Sequence, residues 1–116
     1  MKKYTVRHQG WDDYFIMKVY SNPVNMRHGI TNDGGDSDAN CVARVQPAAR
    51  VYKSGFRGIF TSNMYATLYL NEKWMRVGIL GHECLHVAMA HERFAYKLSD
   101  ILDDVVKILR KGGHIR

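Results

Sequence analysis

Cysteine, proline and long uncharged runs are all scarce in this chain of 116 residues. Cys41 and Cys84 are too few for a disulfide scaffold, which excludes the small secreted, bridge-stapled class. No secretory apolar region follows Met1, because Lys2, Lys3, Arg7 and His8 interrupt it. The longest apolar-rich stretch, Trp74 to Ala90, contains Arg76, His82, Glu83 and His86 and is too polar to span a membrane. A cytoplasmic protein with reduced thiols is the expectation. Concentrated charge is missing too. Lys and Arg total 17 against 11 Asp and Glu, a net charge of +6. These residues are scattered from Lys2 to Arg116 with no basic run of four. Long-range attraction to nucleic acid is therefore only weakly supported.

A solvent-loving disordered chain is excluded as well. Hydrophobic residues make up 46% and charged residues 24%, ordinary for a globular protein. The length suits one domain over residues 1–116. No internal repeat is visible.

The first two-thirds of the chain reads as strands and the last third as helix, so the expected class is α+β. The expected architecture is an N-terminal, mostly antiparallel sheet packed against a buried helix and a second C-terminal helix. Strand signals fall at Lys3–Arg7, at Tyr14–Tyr20, at Cys41–Val45 and Arg50–Tyr52 around Pro47, at Gly58–Thr61 and at Met64–Leu70. Ser62-Asn63 reads as a tight turn. Residues 22–40 collect Asn, Asp, Gly and Ser and read as a loop. Asn71 is a good helix N-cap with Glu72 in the first turn. A helical period then runs to about Ala90, apolar around most of its girth, as expected of a helix buried on more than one side. A second stripe, Phe94, Leu98, Ile101, Leu102, Val105, Val106 and Leu109, predicts an amphipathic helix stopped by Gly112-Gly113.

The chemistry lies in Gly81-His82-Glu83-Cys84-Leu85-His86, which contains H-E-x-x-H. Helical residues four apart stand about 40° apart around the axis and one turn along. His82 and His86 can therefore bind one tetrahedral zinc ion. Glu83 lies on the same side and can reach water at the metal without taking a coordination position. Shuffling this composition gives the motif in well under ~1% of chains. The bland reading makes His82, Glu83 and His86 hydrogen-bonded core polar residues. Cys84, on the core-facing stripe, is expected to be a buried free thiol. Asp33, Asp36 and Asp38 lack the spacing of a calcium loop. Phe56, Arg57, Phe60, Tyr65 and Tyr69 could stack bases, but strand packing explains them equally well.

With this motif on a predicted helix, the segment from about Gly58 to Leu109 resembles a minimal zincin, the H-E-x-x-H metallopeptidase fold, in the small form that phages and mobile elements encode. The resemblance covers under half of the chain. It implies that Met64–Leu70 is the edge strand beside the motif helix, that Phe94–Leu109 is the helix that follows, and that an extended peptide pairs with the edge strand. It also implies a third zinc ligand. The metzincin pattern places that ligand at Glu92, although Met89 stands where that pattern has a turn-forming glycine. No Glu follows Glu92, and Asp100, Asp103 and Asp104 are the other downstream carboxylates. His91 resembles a ligand of bacterial rRNA-maturation endoribonucleases, but the gaps differ and those enzymes have Gly where this chain has Glu83.

An unbroken helix would carry Glu92 about 120° around from His86 and ~9 Å along the axis. The reading therefore requires a break near Ala90–Arg93. If Glu92 faces the metal, Tyr96 lies one turn on and is the expected oxyanion donor or orienting partner. The implied activity is peptide-bond hydrolysis by zinc-activated water with Glu83 as general base. Its substrate is a peptide or protein, and its compartment is the host cytoplasm if the chain is phage-encoded. The competing class is a non-catalytic zincin-like protein that docks to a host protein or nucleic acid.

Overall fold

The structure is a computed structural model that describes residues 1–7, 13–48, 64–91 and 98–115. It is α+β. Strands β1 (Lys2–Arg7), β2 (Tyr14–Tyr20), β3 (Arg44–Pro47) and β4 (Met64–Asn71) form one sheet in the order β1-β2-β4-β3. The two outer pairings are antiparallel and the central β2–β4 pairing is parallel. Helices α1 (Pro23–Asn32), α2 (Val77–Ala90) and α3 (Leu98–Lys111) complete the described elements.

Strand alternation divides the core in two. Met17 and Val19 of β2 and Ala66, Leu68 and Leu70 of β4 pack with Leu80, Cys84 and Val87 of α2 and Ile101, Val105 and Leu109 of α3. Tyr20 and Tyr69 point to the other face and pack with Met26 and Ile30 of α1. No helix among the described residues is long and apolar enough to cross a membrane.

Several sequence expectations change. Residues 22–40 do not form a loop throughout. Asn22 caps α1 by accepting the Asn25 N–H at 2.9 Å, and Pro23 opens the helix, where its missing N–H costs nothing. Met64–Leu70 is not an edge strand. It lies inside the sheet, between β2 and β3, and its two apolar faces are those of a strand covered on both sides. The edge beside α2 is β3. Asn71 caps only a 3-10 turn, Glu72–Trp74, by accepting the Trp74 N–H, and α2 starts afresh at Val77. The apolar girth of α2 is not enclosed either: Leu80, Cys84, Val87 and Ala88 are buried, while Val77, Leu85 and Met89 are exposed.

The strand expected at Cys41–Val45 lies instead at Arg44–Pro47, while the expected helix break and the glycine stop after α3 are found. The helical period breaks at His91, whose extended backbone ends α2. Gly113 takes a positive φ of 77° beyond α3, the left-handed conformation that glycine adopts without strain. The strand signals at Arg50–Tyr52 and Gly58–Thr61 and the Ser62-Asn63 turn lie outside the described residues.

Candidate metal centre

α2 presents the motif as its spacing requires. His82 and His86 stand one turn apart on the exposed side of the helix, with their Nε2 atoms 3.1 Å apart and their rings edge to face. Tetrahedral zinc with Zn–N bonds of about 2.0–2.1 Å holds two ligand nitrogens ~3.3 Å apart. The pair is thus nearly set for one ion, and two neutral imidazoles are the right donors.

Glu83 follows His82 about 100° around the helix and is buried, at 9% exposed. Its Oε1 lies 4.0 Å from His82 Nε2. Burial pushes its carboxyl above the usual carboxylate range, and His82, His86 and Arg44 pull against that rise. A carboxyl held partly out of water beside two imidazoles is suited to taking up and releasing a proton. Arg44 opens β3, so the edge strand brings a cation to the Glu83 side of the centre. Nothing in the sequence around Arg44 signalled this.

The structure separates the remaining candidates. His91 is 1% exposed, and its Nε2–H donates to Asp13 Oδ2 at 2.8 Å. Its ring stands edge-on to Tyr65 at 4.9 Å. It fastens the end of α2 to the segment before β2. Asp100, Asp103 and Asp104 lie on α3. Among the described residues no third His, Cys, Asp or Glu joins His82 and His86 in a metal-holding group. Glu92 and Tyr96 lie outside the described residues.

Cys84 is fully buried and free, and burial pushes its thiol up to about 12. It is a core residue rather than a nucleophile.

A second polar chain, which the sequence did not signal, lies at the termini. His114 Nδ1–H donates to Glu72 Oε1 at 2.9 Å, and the Tyr4 hydroxyl donates to His114 Nε2 at 2.7 Å. It ties the C-terminal residues to β1 and to the turn before α2.

No protein-family model matches the chain, and no curated protein or solved structure matches it either.

Proposed function

We propose that the chain is a zinc-dependent, zincin-like metallopeptidase that hydrolyses a peptide bond in a peptide or protein substrate. The observation that carries this reading is the His82–His86 pair with Nε2 atoms 3.1 Å apart and the buried Glu83 carboxyl between them in sequence. Zinc bound there supplies Lewis acidity and activates water at neutral pH. His82 and His86 hold it, and Glu92 is the proposed third ligand. The end of α2 at Ala90 supports that choice, since an unbroken helix would carry Glu92 away from His86. Glu83 takes the proton of the attacking water and hands it to the leaving amine. Tyr96 is the proposed donor to the oxyanion.

β3 supports the peptide side of the proposal. Ala48 N–H bonds to Tyr65 O at 3.0 Å, so in the antiparallel register Gln46 and Arg44 also bond inward to β4. Val45 N–H and C=O and the Pro47 C=O then face outward. Among the described residues no strand pairs with that edge. An extended peptide can add there through main-chain bonds.

The test is zinc content followed by hydrolysis of a mixed peptide library. The wild type is expected to retain zinc, and His82→Ala to lose it. Glu83→Gln is expected to keep zinc and lose turnover by a factor of ~10²–10⁴. A wild type that holds zinc yet cleaves nothing would leave the docking-protein reading in its place. A wild type that binds no zinc would end the metal reading.

A further inference from the structure

The exposed side of α2 shows more than two imidazoles. The His82 side chain is 66% exposed. Leu85 and Met89 are 45% and 56% exposed. With about 100° of turn per residue, Gly81, Leu85, Gly78 and Met89 occupy an arc of ~80° that runs directly into His82 and His86. A β-carbon added at Gly78 or Gly81 would meet nothing within 4 Å, so another backbone can come close there. This strip carries no fixed charge, in a chain whose net charge is +6. α2 contains no Lys or Arg, so two copies of it can be laid together without cation facing cation.

We propose that a second copy of this chain can take the place of Glu92 and water, giving the metal site a second, shared state. Two α2 helices meet across a two-fold axis, and the two His82 and two His86 side chains enclose one zinc ion. Zinc favours four ligands, and each helix offers two already converged. A two-fold axis doubles that set and lays the apolar strip of each copy against that of the other.

The apolar strip is too small to hold the pair alone. One face of a 14-residue helix buries far less than the ~1,200 Å² of a stable interface. The metal therefore makes the dimer, and removing it releases monomers. The inference rests on the metal pair of the preceding section and adds a state to it. Four imidazoles leave no coordination position for a substrate, so the dimer is a zinc-holding resting form of the hydrolase.

The experiment is sedimentation velocity of the full chain, stripped with chelator and then titrated with zinc, with bound zinc counted in parallel. The expected result is a monomer of 13.4 kDa without metal. Half an equivalent of zinc should double that mass, and chelator should halve it again. Leu85→Lys puts a positive charge on the strip without touching a ligand. It is expected to bind zinc while staying at monomer mass. One zinc per wild-type chain at monomer mass overturns the dimer and leaves the metal pair standing. No zinc binding overturns both. A Leu85→Lys chain that dimerises as readily as the wild type also overturns the shared-helix geometry.

Discussion

Asp33 carries two bonds on one oxygen: Lys18 Nζ donates to its Oδ2 at 2.7 Å and the Tyr69 hydroxyl at 2.6 Å. Lys18 first, and then Tyr69, hold its carboxyl below the usual carboxylate range. The folded value is depressed, so the stabilisation is complete above the ordinary value of ~4 and is lost as pH falls through the folded value. Asp33→Asn should lower stability at pH 7 by roughly 1 kcal/mol, a figure discounted for the carboxylate's partial exposure. Urea midpoints of the two proteins should converge as the pH falls below the ordinary carboxylate value. A gap of constant size would show that the carboxylate's charge is not what matters. The same bond works in reverse on Tyr69, whose hydroxyl is raised by burial and by Asp33. Cys84 gives a second residue-scale prediction. An aromatic disulfide reagent should leave its thiol untouched in the folded chain and label it at once in urea. Equal labelling in both conditions would contradict its burial.

At the scale of elements, α1 depends on a close approach. A β-carbon at Gly29 would run into the ring and hydroxyl of Tyr20, which stacks on Tyr69 beneath the helix. Gly29→Ala should cost about 1–3 kcal/mol, the range for overpacking. Adding Tyr20→Phe should recover little, because ring carbons as well as the oxygen stand in the way. Thermal melts of the single and double variants would decide it. α1 is also the element that sequence reasoning missed. Asn22 and Pro23 were visible as a cap and a first-turn residue, but Met26 and Ile30 give it only a narrow apolar seam, too thin to mark a helix amid Asn, Gly and Thr. By contrast β2 was read with its ends at Tyr14 and Tyr20, because aromatic and β-branched residues fill it. The placing of β4 failed for a physical reason that the sequence also held. A strand apolar on both faces belongs inside a sheet, and Pro47, which has no N–H to give, marks β3 as the edge. The convergence of His82 and His86 was legible because two imidazoles at helical spacing need only the helix. The help from Arg44 was not, because it depends on how β3 meets α2.

For the whole molecule, the main core joins five elements from both ends of the chain. Leu109, fully buried near the end of α3, packs in the same cluster as Val6 of β1. Leu109→Ala should cost about 2–5 kcal/mol, and a denaturant titration reads it directly. A loss well under 1 kcal/mol would mean that α3 docks only loosely. The parallel pairing at the centre of the sheet has a consequence in time. β2 takes β4 as its partner, Tyr14 opposite Met64 and Tyr20 opposite Asn71, about fifty positions downstream. A ribosome adding 5–20 residues per second needs several seconds to supply those partners. Until then the nascent chain has β1 and β2 as a lone hairpin, which is marginal in water, with one long edge of Phe15, Met17 and Val19 open. The sheet cannot close from its N-terminus outward. Its slow step is the capture of β4, and refolding is expected in milliseconds to seconds rather than microseconds. Truncation before Met64 should leave a chain that aggregates instead of folding, and light scattering of that fragment would show it.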